Sequence, residues 1–134
     1  MTSKVVYRGS LRTEAIHLAS NQKIVTDAPI DNHGKGAAFS PTDLVATSLA
    51  SCMMTIMGII AERNDIDIEN ATAEVEKVMG DKPRRIVEIV VKIEFSKTAD
   101  SKTKKIIEKT ALKCPVGKSL HPDIKQNISF MWPN

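Results

Sequence analysis

Between Val5 and Leu18 the chain is rich in β-forming residues and breaks at Gly9; the pattern resumes from Gln22 to Thr26 after the turn-like Ser20-Asn21. Two or three short strands are predicted there. Pro29, Asp31, Asn32, Gly34 and Gly36 then mark the stretch from Ala28 to Ala37 as a surface loop. Ser40-Pro41-Thr42-Asp43 has the form of a helix start, with Ser40 as cap, Pro41 in the first turn and Asp43 placed to reach back to the cap. The helix is predicted to run to about Asn64, and no charge interrupts it from Leu44 through Ala61. That uncharged run is long enough to raise the question of a membrane span. Thr47, Ser48, Ser51, Thr55 and several alanines make it too polar and small for lipid, and Asp43 and Glu62 close its ends. A helix apolar nearly all round is instead predicted to be the buried centre of a soluble fold.

Beyond it, Ala71 to Val78 and Arg85 to Ser96 read as a hairpin about the turn Gly80-Asp81-Lys82-Pro83. In the second strand Val87, Ile89, Val91, Ile93 and Phe95 share one face, with Glu88, Lys92 and Glu94 on the other. From Ser101 to Lys113 an amphipathic helix is predicted, with Ile106, Ile107, Thr110 and Ala111 toward the sheet and Lys102, Lys105, Glu108 and Lys109 in water. Cys114-Pro115 breaks it and starts a short helix from Val116 to Leu120. Ile124 to Trp132 closes the chain as a strand with Ile128, Phe130 and Trp132 on one side.

These elements occupy 134 residues, room for one domain and a real core. The net charge of +3 is spread along the chain, and Phe39, Phe95, Phe130 and Trp132 stand in apolar contexts rather than beside basic residues. Nucleic acid is therefore not an expected partner. Met1 to Tyr7 shows no basic segment followed by an apolar one, so a cytosolic location is expected. There, two cysteines are more often free, catalytic or metal-binding than a permanent crosslink.

Cys52 lies about three turns into the apolar helix on the stripe of Ser48 and Ile56, where a cysteine is by default a small core residue. Too deep to feel the helix N-terminus, it needs a cation from elsewhere for activation. Cys114, just before a first-turn proline, sits where unsatisfied backbone N–H groups favour a thiolate, and by position alone it is the better candidate for a lowered pKa. A metal site would recruit His17, His33 and His121, but no C-x-x-C or H-x-x-x-H spacing exists, so neither metal nor other cofactor is expected.

The segment from Phe39 through Ser-Pro-Thr-Asp-Leu-Val-Ala-Thr-Ser-Leu-Ala-Ser to Cys52, with its proline eleven residues before a helical cysteine, resembles the helix signature of the OsmC/Ohr family. This is the family of osmotically inducible protein C and the organic hydroperoxide resistance proteins. Cys114-Pro-Val-Gly-Lys-Ser-Leu120 resembles its second cysteine motif, in the right order and at the right separation. The resemblance implies an α+β fold in which antiparallel sheets wrap a long central helix, in an intertwined homodimer. It also implies that the cysteine at 52 attacks an organic hydroperoxide and the one at 114 resolves the product as a disulfide, which reverses the ranking by helix position. An external dithiol, often a lipoyl group on another protein in the family, would reopen it. Arg12 falls where the family's active-site arginine is expected, to stabilise the thiolate and hold the peroxide oxygens. Peroxidase members carry a glutamate directly after the helix proline to bind that arginine. Here Thr42 stands there and the nearest acid is Asp43, about 100° further round the helix.

Met53, Met54 and Met57, with Phe39, are candidates to line an apolar substrate pocket, or simply to fill a core. Two other functions remain open: a non-enzymatic domain of the same fold that binds a small apolar molecule and has structural cysteines, and disulfide exchange on protein substrates. The lack of a C-x-x-C pair counts against the latter.

Overall fold

The computed structural model describes residues 1–134, in ten elements. Strands β1 (Ser3–Gly9), β2 (Arg12–His17) and β3 (Lys23–Asp27) form one antiparallel sheet. A single turn of 3-10 helix, Ile30–Asn32, follows in the loop, and then the long helix α1 (Pro41–Arg63). Strands β4 (Thr72–Gly80) and β5 (Arg85–Glu94), helices α2 (Ser101–Ala111) and α3 (Pro115–Ser119), and strand β6 (Lys125–Met131) complete the chain. It divides into two compact units, Met1–Val45 and Ala46–Asn134.

The second sheet has the order β4-β5-β6, and here the expectation of antiparallel sheets needs correcting, because β6 runs parallel to β5. Parallel neighbours cannot be joined by a tight turn and need a crossover of a dozen or more residues. The two helices between β5 and β6 supply it. The β4–β5 hairpin is antiparallel, as expected, with a register shift at Val78/Met79.

Every buried apolar side chain lies between Ala46 and Cys114. On α1 they form a stripe, Ala46, Leu49, Ala50, Met53, Met57 and Ala61, at the spacing of one helix face. They pack with Ile89, Val91, Ile93 and Phe95 of the β5 segment and Ile107 and Ala111 of α2. The all-round apolarity of α1 thus overstated its burial in the single chain, since Val45 and Ile59 are exposed. Ile106 is likewise exposed while Ile107 is buried. Consecutive helical residues point about 100° apart, so both cannot meet one surface.

The start of α1 follows its sequence cues. The Asp43 backbone N–H donates to Ser40 Oγ at 3.0 Å, and the Ser40 N–H donates to Asp43 Oδ2 at 2.9 Å, closing a reciprocal box. By length and composition α1 is also long and apolar enough to cross a membrane.

Candidate active site

Cys114 is the N-cap of α3, with Pro115 next to it in the first turn. Its Sγ accepts the Gly117 backbone N–H at 3.3 Å, while its own backbone N–H donates to the Ala111 carbonyl. Gly117 has a steric role here, because a Cβ on it would stand 3.3 Å from the Cys114 sulfur and 3.1 Å from Gln126 Oε1. The side chain of Cys114 is buried, and that of Cys52, half-buried, packs against the same core.

Sixty-two residues apart in the chain, the two thiols come close enough for Cys52 to perturb Cys114. Burial pushes the Cys114 pKa up first of all, and the charge and hydrogen bond of Cys52 push it further. The N–H groups of Gly117 and Val116 act in the opposite direction and lose. This corrects the expectation from helix position, by which Cys114 would carry the lowered pKa. A five-residue helix offers few N–H groups, and desolvation outweighs them. Cys114 therefore keeps its proton to higher pH than an ordinary thiol.

In the N-terminal unit the polar centre is Arg12 with Asp27. Strand register sets them directly opposite each other across β2 and β3. Arg12 Nε donates to Asp27 Oδ1 and Nη2 to Oδ2, both at 2.7 Å, a two-point side-on pair. Asp27 is 1% exposed and Arg12 37%. The Arg12 hydrogen bond, then its charge, with help from the Ala37 backbone N–H, holds the Asp27 carboxyl below the usual range against desolvation. The same pair raises the Arg12 pKa.

The acid paired with Arg12 is Asp27, while Asp43 Oδ2 accepts the Ser40 N–H in the capping box. Asp27 escaped the sequence reading because nothing in its own neighbourhood signals a site. Its only sign is the strand pairing that carries it to Arg12.

Phe39 is exposed, and its backbone carbonyl accepts the Asp27 N–H at 3.1 Å. Met53, proposed as a pocket wall, is sealed in the core at 1% exposure, as is Met57. Met54, one residue on, instead lines an open apolar groove of about 650 Å³ with Thr47, Ala50, Ser51, Ala73 and Val75 among its walls. No three His, Cys, Asp or Glu side chains come together to hold a metal ion.

A long helix carrying one of two neighbouring thiols, beside a mixed sheet and its crossover helices, defines a two-cysteine α+β protein. The family described as OsmC-like protein matches residues 33–129, and the chain belongs to that family. A solved structure from Psychrobacter arcticus, provisionally described as an osmotic stress induced and detoxification response protein, is 61% identical to it. That likeness covers 97% of this chain and 95% of the other with a TM-score of 0.95. An organic hydroperoxide resistance protein OsmC of Legionella pneumophila shares the fold at 16% identity, with a TM-score of 0.77 over 98% of this chain and 97% of that one. A further organic hydroperoxide resistance protein, from Elizabethkingia anophelis, does so at 13% identity and a TM-score of 0.76, over 99% and 97% respectively. No curated protein matches the chain.

Proposed function

We propose that this protein is a thiol-dependent peroxidase acting on organic hydroperoxides, with Cys52 as the attacking sulfur and Cys114 as the resolving one. The observation that carries the reading is the proximity of the two thiols at one core, where Cys52 helps to hold the proton on Cys114. The Cys52 thiolate attacks the outer peroxide oxygen, the O–O bond breaks, and the departing alkoxide takes a proton to become the alcohol. Cys52 is left as a sulfenic acid. Cys114 then attacks that sulfur, and its proton leaves with the hydroxyl as water as the S–S bond forms. An external dithiol, a lipoyl group by family resemblance, reduces the disulfide and is itself oxidised. In this reading Arg12 serves the thiolate and the peroxide oxygens. Membership of a family that includes organic hydroperoxide resistance proteins supports the substrate class.

A homodimer in the cytoplasm is part of the same proposal. OsmC/Ohr proteins are typically homodimers, and this chain leaves much apolar surface for a partner to cover. Val5, Ala15 and Ile24 stand opposite one another across β1–β3, and Val5, Tyr7 and Ile24 are each more than half exposed.

Treatment with cumene hydroperoxide followed by mass measurement tests the mechanism. The expected result is the loss of two hydrogens, with the Cys52 and Cys114 peptides joined, and no joining in Cys52→Ser. Unchanged thiols in folded protein would refute the peroxidase and favour the small-molecule binder.

A further inference from the structure

Along the closing strand the positions that alternate toward the core are Ile124, Gln126, Ile128, Phe130 and Trp132, and Gln126 is the one polar side chain among them. A polar group set on an apolar face needs a partner. Gln126 Nε2 donates to the Gly117 carbonyl at 3.0 Å. That carbonyl lies near the end of the five-residue helix α3, where helical carbonyls run out of N–H partners. The N–H of the same glycine donates to Cys114 Sγ at 3.3 Å. Gly117 is thus held by the strand at its carbonyl and by the sulfur at its N–H.

Backbone conformation does not account for a glycine there, since its φ is outside the left-handed region and alanine would suit a helix better. Space does account for it. A Cβ at 117 would stand 3.1 Å from Gln126 Oε1, 3.3 Å from Cys114 Sγ and 3.4 Å from Leu49 Cδ1. Leu49 is fully buried on α1, one helical turn before Cys52. All of these residues belong to the unit Ala46–Asn134.

We propose that Gln126 is a positioning residue for Cys114: it clamps the α3 turn at the Gly117 carbonyl, so that the bare Gly117 backbone lies against Leu49 and the Cys114 sulfur stays close to Cys52. The proposal rests on the reading of Cys52 and Cys114 as a reacting pair. An internal disulfide depends on how often its two sulfurs meet in the right geometry, so a small displacement of one of them weakens it strongly.

Equilibration with oxidised and reduced glutathione tests this without any hydroperoxide. The S–S bond of oxidised glutathione breaks, a bond forms between Cys52 and Cys114, and the two protons leave on two glutathione thiols. The equilibrium constant is the effective concentration of one protein thiol at the other. Gln126→Met keeps the length of the side chain without its donor and is expected to lower that concentration about fivefold, the scale of one hydrogen bond. Gly117→Ala is expected to lower it about tenfold by pushing the turn off α1. In a Cys52→Ser background, Gln126→Met is also expected to move the thiolate titration of Cys114 to higher pH, because a loosened turn aims its N–H less well at the sulfur. A merely structural Gln126 would lower the urea midpoint, leave the effective concentration within about twofold of the parent and leave the titration in place; that result overturns the proposal.

Should either variant fail to fold, Gln126→Asn, whose amide stops one methylene short of the carbonyl, replaces it: a lowered effective concentration supports the clamp and a parental one refutes it. A parent that forms the Cys52–Cys114 disulfide with glutathione but does not react with cumene hydroperoxide sinks the peroxidase reading alone. No such disulfide at any glutathione ratio sinks the pairing of the thiols, and the role of Gln126 with it.

Discussion

At Cys114 two residue-scale effects compete, and their balance has a measurable sign. The N–H groups of Gly117 and Val116 favour the thiolate, while burial and the neighbouring Cys52 charge favour the thiol and prevail. A group whose pKa is higher in the folded than in the unfolded chain adds stability below its unfolded value, and that stability is lost as pH rises through the folded one. With ordinary thiols ionising near about 8.5, the denaturant midpoint of the parent is expected to fall relative to Cys114→Ser as pH climbs above that value. Equal slopes for the two proteins between neutral and alkaline pH would show that Cys114 is not perturbed. In Cys52→Ser the charge and hydrogen bond of the neighbour disappear, so the ultraviolet thiolate signal of Cys114 is expected to emerge at lower pH than in the parent. Asp27 has the opposite sign. Its depressed pKa gives stability present above the ordinary carboxylate range and lost as pH falls through the folded value. Asp27→Asn should therefore flatten the acid limb of the stability profile.

At the scale of elements, local chemistry made some features legible and long-range register hid others. Helix α1 was readable because Ser40, Pro41 and Asp43 form a start signal within four residues and the apolar run beyond is unbroken. Removing the cap hydroxyl in Ser40→Ala is expected to cost about 1 kcal/mol, seen as a lower urea midpoint with an unchanged slope. Met57→Ala, on the buried stripe, is expected to cost about 2–5 kcal/mol by leaving a cavity. A loss under about 0.5 kcal/mol would mean that the stripe is not a core surface. The β5 face was equally readable from its alternation, confirmed by buried Ile89, Val91 and Ile93. Strand alternation carries no direction, however, so the parallel pairing of β6 with β5 could not be inferred from Ile128, Phe130 and Trp132. Arg12 and Asp27 are separated by a hairpin whose turn contains Asn21 at φ 61°, and only that turn's geometry sets them opposite each other. The meeting of Cys52 with Cys114 was implied by family resemblance and not by spacing, because sixty-one intervening residues fold through four elements.

Across the whole molecule, apolar burial is divided unevenly between the two units, and this has a dynamic consequence. All the buried apolar side chains belong to Ala46–Asn134, while Met1–Val45 buries only Thr26, Asp27 and Ser40 and exposes Val5, Tyr7, Leu11, Ile24 and Ile30. A three-stranded sheet held by ladder hydrogen bonds and partly exposed ion pairs has little hydrophobic stabilisation of its own. Segments with few buried apolar contacts open at the low end of the free-energy range, and core strands open only near global unfolding. Amide hydrogen exchange is therefore expected to be slowest in β5, which carries Ile89, Val91 and Ile93, and much faster in β1–β3. If the face of Val5, Ala15 and Ile24 is covered by a second copy, protection of β1–β3 must also depend on protein concentration, by mass action, while that of β5 stays nearly constant. Dilution through the dimer dissociation constant should speed exchange in the first sheet selectively, and Ile24→Lys should reproduce that effect at high concentration with a halved mass in light scattering. Uniform protection of both sheets in a protein that stays monomeric would contradict both the division of stability and the proposed partner.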